Sequence, residues 1–132
     1  MALMSVAPSC FAKLSCSKGQ IRILSNAEWK HSPAEYCYNS DFTVFVSPSC
    51  NSSSKKKCLA FTHQRKFEVS ELSSFIGTPG FRLCRLMNGA PDILDFEVNK
   101  KWHTLDRCVF TDGSFVDTGS LMGVHLHGKD RK

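Results

Sequence analysis

Ser47-Pro48-Ser49-Cys50-Asn51-Ser52-Ser53-Ser54-Lys55-Lys56-Lys57 is the stretch on which the architecture turns. Small polar residues followed by three like charges bury little apolar area, and the lysines repel one another. The stretch therefore reads as a linker between two halves of different character. Residues 1–66 carry nine Lys and Arg against three Asp and Glu, a balance of +6. Residues 67–132 carry eight against nine, a balance of −1, and the halves sum to the +5 of the 132-residue chain. A basic half attracts acidic or phosphate-rich partners over a long range.

Immediately before the linker, residues 41–47 alternate. Phe42, Val44 and Val46 fall on one face, with Thr43, Phe45 and Ser47 on the other, as in a half-buried strand that ends at Pro48. Further back, residues 21–24 suggest a short strand with Arg22 facing out between two isoleucines. Residues 1–27 contain no acid, five serines and the basic residues Lys13, Lys18 and Arg22. Acid-poor, serine-rich composition is the mark of a mitochondrial or plastid transit segment, here with a cleavage point somewhere after Arg22.

Beyond the linker, residues 67–76 predict a short helix with Val69, Leu72 and Ile76 on one face, stopped by Gly77 and Thr78-Pro79-Gly80. Residues 81–87 are a mixed apolar and basic run, strand or helix, and Asn88-Gly89 marks a turn. Residues 92–102 predict a second helix, because Asp92, Asp95 and Glu97 precede Lys100 and Lys101 in the order the helix dipole favours. Residues 107–111 and 121–127 predict two strands, with Asp112-Gly113 as a turn after the first.

The expected fold is thus a small α+β protein with a largely disordered basic N-terminal half. Residues 1–66 form a poorly ordered, Ser/Cys-containing segment, and residues 67–132 form an α+β segment ending in a hairpin. Local signals rarely agree over more than ten residues, so a chain without a stable fold is the alternative. Leu, Ile, Val and Phe make up 25% of the chain, above the level of about 20% below which disorder is the rule, so a small core is allowed. No apolar run reaches the roughly 18–20 residues that span a bilayer.

Seven cysteines, at 10, 16, 37, 50, 58, 84 and 108, lack the close pairing of zinc ribbons or redox sites. Their odd number and the lack of a secretory leader pattern favour reduced thiols in a cytoplasmic or nuclear protein. A secreted, disulfide-linked protein is a rival reading. The sequon Asn51-Ser52-Ser53 is inert outside the secretory pathway. Cys50, Cys58 and His63, with Cys37 as a fourth group, and His125-x-His127, with His103 or Cys108 as a third, are the metal-ligand arrangements weighed. Their spacing is not that of a standard knuckle, so no metal or cofactor is expected. No Gly-x-Ser-x-Gly and no phosphate loop ending in Gly-Lys-Ser/Thr is present. Lys55, Lys56, Lys57, Arg65 and Lys66, interleaved with Phe61, His63 and Phe67, form the candidate binding patch for an acidic protein or a nucleic acid.

Phe110-Thr111-Asp112-Gly113-Ser114 resembles the start of the ribonuclease H fold, whose first strand ends in Thr-Asp-Gly-Ser. Gly119, Gly123, the alternating residues 124–127 and the basic residues near Lys132 resemble that family's second strand, so the likeness covers about 23 residues. It implies a magnesium-binding role for Asp112. The family's further acids, which hold two metals about 4 Å apart, do not follow Lys132, so the resemblance implies a truncated, inactive fragment. The functional expectation is a small, basic, non-catalytic interaction or regulatory protein. An organelle-imported protein and the ribonuclease H-like fragment are the alternatives.

Overall fold

The computed structural model describes residues 14–51, 58–62 and 78–125. They form a closed barrel of six antiparallel strands, β1 (Ser15–Ser25), β2 (Glu28–Tyr38), β3 (Phe45–Val46), β4 (Ala90–Val98), β5 (Lys101–Val109) and β6 (Phe115–Asp117). Around the barrel the order is β1-β2-β3-β6-β5-β4, with β4 returning to β1. Among the described residues four helices accompany the barrel: α1 (Pro48–Asn51), α2 (Leu59–Thr62), α3 (Pro79–Leu86) and α4 (Thr118–His125). No helix among the described residues is long and apolar enough to cross a membrane.

This architecture overturns the α+β expectation and its largely disordered first half. Three strands from the first half close the sheet with three from the second. The boundary placed at residues 66 and 67, and the helix expected over residues 67–76, lie outside the described residues.

Two long hairpins dominate. β1 pairs with β2 from Ser15–Tyr38 to Ser25–Glu28, and β4 pairs with β5 from Ala90–Val109 to Val98–Lys101. Each closes through two residues of positive φ: Asn26 and Ala27 at 53° and 64°, Asn99 and Lys100 at 53° and 66°. Positive φ at both central residues belongs to the type I′ turn, whose twist matches that of the flanking strands. The helix expected over residues 92–102 is therefore a hairpin. Leu94, Phe96 and Val98 point to one side, and the acids thought to serve a helix dipole are used across strands. Arg22 Nε donates to Asp95 Oδ2 at 2.8 Å, and Arg107 Nε donates to Asp92 Oδ1 at 3.0 Å.

The strand period of two divides the apolar residues between two cores. Inside the barrel lie Ile21, Tyr36, Phe45, Leu94, Phe96, Val98 and Phe115. On the other side of the same strands, against the helices, lie Cys37, Val46, Cys108 and Val116 with Cys50, Cys58, Leu83, Cys84 and Leu121. Neighbouring residues thus serve opposite cores, as in Tyr36 and Cys37, Phe45 and Val46, and Phe115 and Val116.

Six cysteines are paired as Cys16–Cys37, Cys50–Cys58 and Cys84–Cys108. The expected reduced thiols are therefore disulfides. The supposed linker begins with helix α1, whose Cys50 is fully buried and bonded to Cys58 at the start of α2. Cys84–Cys108 fixes α3 to β5, and Gly89 passes close beside it. A Cβ at residue 89 would collide with Cys108 Sγ and stand 3.1 Å from Cys84 Sγ.

The run over residues 81–87 resolves as helix α3, capped by Thr78, whose hydroxyl accepts from Phe81 N at 3.3 Å. The strand expected over residues 121–127 is replaced by α4 across its described part. Asp117 Oδ2 accepts from Ser120 N at 2.9 Å, capping that helix.

Candidate functional site

The seam between β1 and β4 is the weakest join in the barrel wall between long strands. Ladder pairing covers only Ile21–Phe96, Arg22–Asp95 and Ile23–Leu94. On one side of this patch the wall is closed by a side chain. Tyr36 sends its hydroxyl past Gly19, where a Cβ would clash with it, to donate to Glu97 O at 2.8 Å. Burial, and then the charge of Glu97, push the Tyr36 phenol above its usual pKa.

On the other side, beyond Ile23 and Leu94, a cleft of about 560 Å3 opens, within the range of roughly 300–1,000 Å3 typical of small-molecule sites. Ile23 and Leu24 line it from β1, Trp29 from β2, Asp92, Ile93, Leu94 and Asp95 from β4, Thr104 from β5 and Phe81 from α3. Ile23 and Leu94 belong to the barrel interior, whereas Leu24, Trp29 and Ile93 are exposed at 55%, 46% and 56%. Those three and Leu59 are the exposed large hydrophobic residues among the described ones, so exposed apolar surface is concentrated at this cleft.

A polar row crosses the wall beside it. Register places His31 opposite Arg22, Arg22 opposite Asp95, and Asp95 opposite Thr104. Asp95 accepts from Arg22 Nε and from Thr104 Oγ1, the latter at 2.6 Å. The Arg22 guanidinium lies 4.4 Å from the ring centroid of Trp29 and 4.1 Å from that of Trp102, the two tryptophans of the chain. His31 packs edge-on against Trp102 at 5.8 Å. The second carboxylate of the cleft, Asp92, holds Arg107 through Nε and Nη2. Each acid in the cleft therefore has its own arginine.

None of the described residues singled out by sequence as a site lines the cleft. Lys55, Lys56, Lys57, Arg65 and Lys66 are outside the described residues, as are His63, His127 and residues 1–13. Cys37, Cys50, Cys58 and Cys108 are all in disulfides. His103 stacks on Phe42 at 3.8 Å, and buried His125 contacts Ala60 O at 2.6 Å through Nε2. No group of three His, Cys, Asp or Glu residues suited to a metal occurs among the described residues.

Asp112 sits in the turn between β5 and β6. It accepts from Ser114 N at 2.9 Å, Ser114 Oγ at 2.6 Å and Leu59 N at 3.0 Å. Burial opposes ionisation there, but these hydrogen bonds outweigh it and hold the carboxyl below its usual pKa. The structure thus gives the residue that resembled a magnesium ligand the task of holding a turn and the start of α2.

The cleft escaped the sequence reading because its residues come from four strands and a helix. The available signal was the pair of tryptophans, each on a polar hairpin flank. Comparison with known protein families, curated proteins and solved structures finds no match for this chain.

Proposed function

We propose that this disulfide-bonded barrel is a non-catalytic binding module that takes a small, largely apolar molecule in the cleft at the β1–β4 seam. The supporting observation is the gathering of Leu24, Trp29 and Ile93, all exposed, around one concavity. Contiguous exposed apolar surface is costly to hydrate and marks sites of interaction. Binding is favoured over turnover because Asp92 and Asp95 are each neutralised by an arginine, which leaves this pair poorly placed for acid–base chemistry. The three disulfides support folding in an oxidising compartment.

The neutral dye N-phenyl-1-naphthylamine tests the reading, with Trp29 as the fluorescence donor. Saturable binding at one site is expected, and Ile93→Glu should weaken it at least about tenfold, because it places a charge in the apolar wall. Ile93 is exposed, so the substitution leaves both cores intact. Binding that does not saturate, or that ignores Ile93→Glu, would overturn the reading.

A further inference from the structure

We propose that the ligand of this cleft is a carboxylate, with an aliphatic or aryl body against Leu24, Ile93 and Phe81 and its acid group on the edge of Arg22. The proposal rests on the cleft being a ligand site and adds the chemistry that would select the ligand.

Three observations carry it. Asp95 takes Arg22 Nε, but the two terminal nitrogens of Arg22 donate to no protein group among the described residues. The side chain is 25% exposed, and neither terminal nitrogen is a buried unpartnered atom, so those donors have access to solvent. Trp29 and Trp102 stand within cation–π distance of the guanidinium, so acceptors are directed to its edge. An arginine edge held in this way offers parallel N–H groups in one plane, the geometry that a carboxylate matches with two bonds.

The charges around the cleft agree. Asp92 is matched by Arg107 and Asp95 by Arg22, and the remaining ionisable neighbour in the row is His31. The acids have already taken hydrogen bonds: Asp95 from Arg22 and Thr104, Asp92 twice from Arg107. Both acids keep acceptor capacity, but each is matched by a cation, whereas Arg22, which stands beside the cleft against its lining residues Trp29 and Asp95, keeps two terminal nitrogens with no protein acceptor among the described residues. Trp29 is shared between the two parts, lining the cleft with its apolar surface and flanking Arg22.

The test is competition for bound N-phenyl-1-naphthylamine by decanoate and by 1-decanol, which share an apolar chain and differ in the head group. Decanoate is expected to displace the dye at about tenfold lower concentration, the scale of a charge-assisted hydrogen-bonded pair. Arg22→Gln should remove the difference between decanoate and decanol, while Arg22→Lys, a point charge without the fork, should retain part of it. Arg22→Gln leaves buried Asp95 without its cation, so Arg22→Gln with Asp95→Asn serves as the folded control. Equal potency of decanoate and decanol on the wild-type chain would overturn the carboxylate assignment while leaving an apolar site standing. Equal weakening of dye, decanol and decanoate by Arg22→Gln and by the double variant would also overturn it, by making Arg22 only a wall. Failure of the wild-type chain to bind the dye would instead remove the binding reading itself.

Discussion

The two cores of this small protein use different means. The barrel interior is aromatic: Phe96 lies 4.6 Å from Phe45 and 5.6 Å from Tyr36, and Phe45 lies 5.1 Å from Phe115, all ring to ring. The layer under the helices contains no comparable nest of rings. Its described residues are Val, Leu, Ala, Met87, Phe110 and cystine, and its helices are four or eight residues long. Few residues close the barrel, so each must be large. Helices this short are not stable alone, so covalent links substitute for packed area.

Reduction of the disulfides is the largest test of this contrast. Closed loops of 21, 8 and 24 residues correspond, on chain-entropy grounds, to roughly 9 kcal/mol if the three acted independently. Whole domains are stable by only about 5–15 kcal/mol. Reductant should therefore unfold the chain. The unfolding should also be cooperative, because adjacent residues such as Phe45 and Val46 serve opposite cores. Near-ultraviolet and far-ultraviolet circular dichroism should be lost together, and thiol titration of the denatured chain before reduction should find none of the six paired cysteines reactive. Loss of the helical signal with the aromatic signal intact would show the cores to be separable.

How far the sequence announces this arrangement depends on the element. Asn88-Gly89 and Asp112-Gly113 are turns as read, because turn chemistry is local. The alternation around Val44 and Val46 is real, with Phe45 in the opposite core, but Phe42 leaves the pattern through a φ of 57°. Strand β2 gave no signal over residues 28–33, since both of its faces are exposed there and nothing apolar alternates. In residues 92–102 the order of charges mimicked a helix, while Leu94, Phe96 and Val98 kept a strand period that the acids obscured. Cysteine pairing was illegible because Cys84–Cys108 and Cys16–Cys37 join different elements, and spacing carries no such information. The cleft was hidden for the same reason: Leu24, Trp29 and Ile93 meet only once the strands are in register.

A smaller perturbation isolates the aromatic core. Phe96 is fully buried, and Phe96→Ala should cost about 3–5 kcal/mol, less than loss of all three disulfides and comparable to or above the roughly 2–4 kcal/mol of a single one. Urea unfolding would measure it. A cost near 1 kcal/mol would mean that the barrel interior collapses around the gap and that the cystine layer alone holds the fold.

The smallest expected effect concerns the acids that join the regions. Asp117 accepts from Phe45 N in the barrel and from Ser120 N in α4, and its burial raises its pKa above 3.8 despite those bonds. The native state therefore holds that proton more tightly than the unfolded chain does. The resulting stability is present below the unfolded value of 3.8 and is lost as pH rises through the folded value. Asp112, which ties α2 to the β5–β6 turn, has the opposite sign. Its pKa is lowered, so its contribution is present above 3.8 and is lost as pH falls through the folded value. Thermal midpoints between pH 3 and 7 should separate them. Asp117→Asn should flatten the decline on the neutral side of 3.8, and Asp112→Asn the decline on the acid side, each by on the order of a few degrees. Asp117→Asn also loses one of two acceptors, so its midpoint should fall at every pH while its slope disappears. An unchanged slope in that variant would mean that the decline on the neutral side comes from a group other than Asp117 and that the junction of the two cores does not titrate there.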